Sequence, residues 1–219
     1  FRSADRGITW TELPGAQSGI AGPDRTVLAL AINPRNPAVI YAGTLNGVYK
    51  TRDRGTTWTQ SGLAGVQVNR MLVMPVDTSR VYASTSDSLM RTADGGLTWN
   101  RVRIDTTVSG MRVNALAVHP QRPDTLYIGT QERGIYRSRD GDSTWVQANA
   151  GLTSQAIFSL KIHPTQPDTL YAGTGAGGVF RSASGAAAWE AVNEGLGALD
   201  IAGLAIAPSQ PSILYAGTR

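Results

Sequence analysis

An eight-residue phrase recurs along the chain and ends each time in tryptophan. It reads SADRGITW at 3–10, TRDRGTTW at 51–58, TADGGLTW at 92–99, SRDGDSTW at 138–145 and, in a worn copy, SASGAAAW at 182–189. These hold all five Trp of the sequence. Successive Trp lie 48, 41, 46 and 44 residues apart, within the roughly 40–50 residues expected of propeller blades.

A second motif keeps the same beat. VIYAGT (39–44), RVYAST (80–85), TLYIGT (125–130), TLYAGT (169–174) and ILYAGT (213–218) read as short strands rich in β-formers. Before each lies an apolar run ending in Pro, such as LALAINP (28–34) or NALAVHP (114–120). After the first four comes a third strand, GVYKT, SLMRT, GIYRS or GVFRS, then the Trp turn and a fourth strand. Four strands per unit and no helical periodicity predict an all-β propeller of five four-stranded blades.

The two ends are complementary. Residues 200–219 supply only the first two strands of a unit, and residues 1–14 only the last two. The expectation is one domain over 1–219, with blades at about 26–62, 67–103, 112–150 and 156–194 and a fifth made jointly by 1–14 and 200–219. Such a joint sheet would pair edges that a linear stack leaves open. A part of a larger ring is the alternative arrangement.

Composition narrows the function classes. The charge of +4 comes from 18 Arg and 2 Lys against 16 acids, with no basic run, so no nucleic-acid partner is expected. No 18-residue apolar stretch occurs, so no transmembrane segment is expected. Zero Cys excludes thiolate metal sites and disulfides.

The Trp turn reads as carpentry. Ser or Thr and Asp accept bonds from turn amides, Gly takes positive φ, and Trp buries a large ring between sheets. Calcium needs six to eight oxygens, which one Asp per hairpin (Asp5, Asp53, Asp94, Asp140) does not supply, so no metal or cofactor is expected. In the worn copies Gly141 and Gly185 stand one place early and are expected to take over the strained position.

These motifs resemble the Asp-box, or bacterial neuraminidase repeat, propellers over essentially the whole chain. In that family the box is a fold element remote from the ligand face. Its members include sialidases, xyloglucan-cleaving hydrolases, sortilin-type receptors and photosystem assembly factors that bind proteins without catalysis. The resemblance implies a fold and an extracytoplasmic setting (periplasmic, lumenal or secreted), not one activity.

Catalytic groups are sparse. The Arg-Ile-Pro signature implied by a sialidase is absent. A basic residue fills one repeated slot at Arg2, Lys50, Arg91, Arg137 and Arg181, which marks it as part of the blade. All aromatics but Phe158 fall in repeated slots. His119 and His163 precede the inner-strand Pro and read as solvated or capping groups, and no catalytic residue is assigned.

The connections on the side opposite the boxes diverge most, above all 11–26, 101–112 and 130–135. Divergent loops on a regular frame are the usual seat of recognition. Arg103, Asp105, Glu132, Arg133 and Asp200 are the candidate contacts there. Arg70 and Lys161 join them, because each replaces a small residue on an inner strand. The expected function is a non-catalytic, protein-binding accessory or assembly subunit of a larger extracytoplasmic or membrane-associated complex. The alternative is a glycoside hydrolase of sialidase or xyloglucanase type, with Glu132 beside Asp105 or Asp200 as its carboxyls.

Overall fold

Short apolar runs cut by Gly, Pro and Asp give strands of two to six residues. The computed structural model describes residues 1–13, 19–20, 26–105, 107 and 110–219, and no helix occurs among them. Most of the 11–26 connection lies outside the described residues.

Four sheets are four-stranded antiparallel meanders. The first is β1 (Val27–Ile32), β2 (Ile40–Thr44), β3 (Gly47–Thr51) and β4 (Thr59–Gln60). The second is β5 (Arg70–Val73), β6 (Val81–Ser84), β7 (Leu89–Thr92) and β8 (Asn100–Arg101). The third is β9 (Val113–Val118), β10 (Leu126–Thr130), β11 (Ile135–Ser138) and β12 (Val146–Gln147). The fourth is β13 (Ile157–Ile162), β14 (Leu170–Thr174), β15 (Val179–Ser182) and β16 (Glu190–Ala191). A last pair, β17 (Ile201–Ile206) and β18 (Leu214–Thr218), forms a sheet of two.

Contacts divide the chain into two compact units, 1–85 with 90–100 and 86–89 with 101–219. In the first, Tyr41, Val48, Val68 and Val81 share a core that Trp99 packs against. In the second, Tyr127, Ile157, Leu160, Phe180 and Trp189 do the same.

The end segments each carry pairings of their own. β18 pairs with β17 alone, and Arg2 bridges Thr11 within its own segment. Tyr41, Tyr82 and Tyr127 are at most 1% exposed, whereas Tyr215, in the two-stranded sheet, is 64% exposed.

The boxes behave as carpentry. Thr51 Oγ1 donates to Asp53 Oδ1 at 2.7 Å and accepts the Gly55 amide at 3.0 Å. Asp53 accepts the Thr57 amide at 2.8 Å and the Thr57 hydroxyl at 2.6 Å. The pattern repeats at Thr92–Asp94–Thr98 and Ser138–Asp140–Thr144. Both carboxylate oxygens are thereby committed to the turn. Hydrogen bonds, first from the Thr57 and Thr144 hydroxyls, hold Asp53 and Asp140 at about 2.

The worn box keeps only the serine skeleton, with Ser184 Oγ accepting the Ala188 amide at 3.2 Å. Gly141 and Gly185 do take positive φ (69° and 62°), but they do not relieve the next residue: Asp142 and Ala186 remain at 79° and 62°. The turn needs two consecutive left-handed positions, so moving the glycine shifts the strain rather than removing it.

Each of the four later boxes is tied to the turn that leaves the inner strand of its own blade. Arg54 N donates to Ala38 O, Gly95 N to Ser79 O, Gly141 N to Asp124 O and Gly185 N to Asp168 O, at 2.8–3.0 Å. Boxes and inner turns therefore share a side, as the loop patterns imply.

Candidate functional site

The repeated basic slot is explained first, because it removes residues from consideration. Lys50 stands opposite Tyr41 in register, its Nζ donating to Gly95 O at 2.7 Å, and Tyr41 Oη donates to the same carbonyl at 3.1 Å. Arg137 likewise donates to Gly185 O at 2.6 Å. These cations fasten one blade to the box turn of the next. Burial pushes Lys50 below its ordinary range and Tyr41 above it.

The histidines are caps. His119 is buried, and its Nδ1 accepts the amides of Gln121 at 3.2 Å and Arg122 at 3.0 Å. Asn33 Oδ1 does this for Arg35 and Asn36, and His163 Nδ1 accepts the Gln166 amide. Arg122 lies against His119 Nε2 at 2.8 Å and pairs with Asp168.

Four of the seven candidate contacts lie together in the second unit. Val102 N donates to Leu89 O at 2.8 Å and Met111 N to Asp87 O at 2.6 Å, so both ends of the 101–112 segment are pinned to 87–89. Gln131 N then donates to Arg112 O at 3.0 Å, bringing in the 130–135 turn. That turn is itself fixed: Thr130 Oγ1 accepts the Arg133 amide at 2.9 Å, and Asn149 Nδ2 donates to Arg133 O at 3.0 Å.

Three cavities follow from this arrangement. One of about 370 Å³ is lined by Asp87, Arg101, Arg103 and Asp105. A second of about 350 Å³ is lined by Asp87, Arg112, Glu132 and Arg133. A third of about 660 Å³ runs from Arg103 and Asp105 to Tyr136, Trp145 and Gln147. The first shares Asp87, Gly110 and Met111 with the second, and Arg103, Ile104 and Asp105 with the third.

Within this run Asp105 accepts the Thr107 hydroxyl at 2.6 Å and the Thr107 amide at 2.9 Å. Tyr136 Oη reaches it at 3.3 Å and accepts from Gln147 Nε2 at 3.0 Å. The Thr107 bonds hold the Asp105 carboxyl below the usual range. A carboxylate so held is an acceptor at neutral pH, not a proton donor.

The other three candidates line none of these cavities. Arg70, on β5, donates to its neighbour's carbonyl, Asn69 O, at 2.8 Å. Lys161 is exposed on β13, opposite Tyr171. Asp200 is engaged by β18: its carbonyl accepts the Arg219 amide at 3.1 Å, and its Oδ1 lies 4.0 Å from Arg219 Nη1. Arg219 also covers the ring of Phe158 at 4.2 Å, which accounts for the one aromatic outside the repeated slots.

Sequence reasoning missed the third cavity, whose wall includes a box tryptophan. Three Trp give their indole N–H to a carbonyl: Trp58 to Gly55 O, Trp99 to Ser61 O and Trp189 to Ala148 O. Trp145 Nε1 is buried and has no partner among the described residues.

A family model described as "Sortilin, neurotensin receptor 3" matches residues 46–135. Solved structures are similar over most of the chain. An ancestral GH74 enzyme aligns with TM-score 0.76 at 19% identity, covering 95% of this chain and 29% of its own. The fold is of the β-propeller type. The extracellular domain of a hybrid two-component system from B. thetaiotaomicron aligns at 0.69 and 17% identity, covering 88% of this chain and 26% of that one. YCF48 from Cyanidioschyzon merolae aligns at 0.62 and 16%, covering 87% of this chain and 63% of that one. The chain thus spans less than a third of the first two and under two thirds of the last. No curated protein matches. The chain resembles Asp-box propellers of the sortilin type, and these neighbours include both enzymes and extracellular domains. Among the described residues no helix is long and apolar enough to cross a membrane.

Proposed function

We propose that the chain is a non-catalytic, extracytoplasmic protein-binding module of a larger complex, and that its partner docks across Arg103, Asp105, Glu132 and Arg133. The observation that carries this reading is the run of cavities on which these four residues meet. The guanidinium groups of Arg103, Arg112 and Arg133 carry no hydrogen bond or ion pair among the described residues, so they are available to a partner's carboxylates. The likeness to extracellular domains supports the compartment.

Support for hydrolysis is weaker. Glycoside cleavage needs one carboxyl poised as an acid, whereas Asp105 is held ionised and Glu132 lines a different cavity. The test has two arms. Capture of the native partner by immobilised protein should drop at least tenfold in the double variant Arg103→Glu/Arg133→Glu. Chromogenic sialosides and xyloglucan oligosaccharides should not turn over; turnover abolished by Glu132→Gln or Asp105→Asn would overturn the proposal.

A further inference from the structure

The two compact units differ in charge and in one position of their boxes. Residues 1–85 with 90–100 hold ten Lys and Arg against six Asp and Glu. Residues 86–89 with 101–219 hold ten against ten, so the whole excess of +4 belongs to the first unit. The sixth box position is polar or small in the second unit, Ser143 and Ala187, whereas the first has Ile8, Thr56 and Leu97. Thr56 and Ser143 turn their hydroxyls inward, donating to Asp53 O at 3.0 Å and Asp140 O at 3.1 Å. Ile8 and Leu97 cannot make that bond and stand 82% and 80% exposed. Their boxes thus forgo a hydrogen bond and hold an aliphatic side chain in water.

The three boxes of the first unit are neighbours. A Cβ at Gly55, in the second box, would meet Leu13 Cδ1 at 2.9 Å, so the chain leaving the first box packs there. Ser61 Oγ donates to Gly96 O at 3.0 Å and Lys50 Nζ to Gly95 O at 2.7 Å, which joins the second box's blade to the third box. Ile8 and Leu97 therefore lie on either flank of a box that exposes Arg52 and Arg54. The side chains of Arg6, Arg52 and Arg54 carry no hydrogen bond or ion pair among the described residues. The carboxylates beside them are engaged: Asp5, Asp53 and Asp94 each accept a hydroxyl and an amide of their own turn. The inner turns of this side add the exposed Arg35 and Val76. An acidic protein surface would pair the arginines and leave two separated aliphatic tips in water. An anionic bilayer takes both, with phosphates for the guanidinium groups and the headgroup boundary for the tips.

We propose that the box side of the first unit rests on an anionic lipid surface, with Ile8 and Leu97 entering the headgroup layer and Arg6, Arg52 and Arg54 meeting lipid phosphates. The contact is peripheral and calls for no membrane-spanning segment. It stands independently of partner docking, because it shares no residue with Arg103, Asp105, Glu132 and Arg133.

The test is flotation with phosphatidylcholine vesicles holding about a third phosphatidylglycerol, against phosphatidylcholine alone, at about 0.05 M salt. The chain should float with the first and not the second, and about 0.5 M salt should release most of it. Leu97→Asp should weaken binding about tenfold, and Arg52→Gln/Arg54→Gln several-fold. Unchanged melting curves would show that these variants fold. The sequence has no Cys, so Leu97→Cys can carry a single polarity-sensitive fluorophore. Its emission should move to the blue on the anionic vesicles, and the same label on Ser143→Cys should not respond. Flotation with neither vesicle, equal flotation with both, or a label at 97 that never responds would overturn the proposal. Flotation that Leu97→Asp leaves unchanged would overturn it too, by assigning the arginines to a soluble polyanion. Arg103→Glu/Arg133→Glu is the separating control: flotation should persist in it, and a loss would move the contact to the second unit and contradict the proposal.

Discussion

Trp189 and Trp145 occupy the same place in their boxes and meet different fates. Trp189 is 5% exposed, donates from its indole to Ala148 O at 2.8 Å, and receives Gly151 against its backbone. Trp145 is only partly buried, lacks an acceptor and borders open space. The box around Trp145 is the better preserved of the two, with Asp140 fully bonded, whereas that around Trp189 is the worn one. Motif quality therefore does not decide how well the corner is packed. The glycine of the preceding blade does.

The largest effect should come from emptying the closed corner. Trp189→Ala should cost about 3–5 kcal/mol in chemical denaturation, and Trp145→Ala distinctly less. Equal losses would erase the distinction. Gly151→Ala should follow, at about 2 kcal/mol or more, because the methyl group meets Trp189 O and φ is +89°. A neutral outcome would mean that the glycine does not set the approach.

A third prediction concerns acid. Asp53 and Asp140 sit at about 2 when folded, against an ordinary 3.8. The unfolded chain therefore binds these protons first, so their contribution is full above the ordinary value and is lost as pH falls toward about 2. Urea midpoints should fall through that window, and less so in Asp53→Ala/Asp140→Ala. Ser182–Trp189 contains no carboxylate and should contribute nothing to the fall.

The smallest effect should be a gain. Ser184→Asp with Ala188→Thr would rebuild the worn box and raise the melting temperature by about 2–4 °C, taking each kcal/mol as worth that much in a chain of this size. A loss would show that the serine skeleton is already adapted to its turn.

Much of this was legible in the sequence. Trp spacing and the strand triplets announced the four-stranded sheets, and the regularity of the basic slot marked Lys50 and Arg137 as part of the blade, where they bond box carbonyls. One feature was not legible. The Trp145 cavity leaves its trace in what one repeat lacks rather than in a motif: Gly-Leu follows β4, β12 and β16 but not β8. Of the candidate contacts, those on one divergent segment and its neighbouring turn came together. Arg70 and Lys161 were chosen by inner-strand slot and Asp200 by its connecting loop, and none of the three lines those cavities.

The central claim is that the partner docks on the 101–112 and 130–135 segments rather than on the exposed box turns. A photo-crosslinking residue placed at Glu132, and separately at the exposed box residue Leu97, tests it in the native host. Partner adducts from position 132 and none from position 97 are the predicted result. Adducts from 97 with none from 132 would contradict the account.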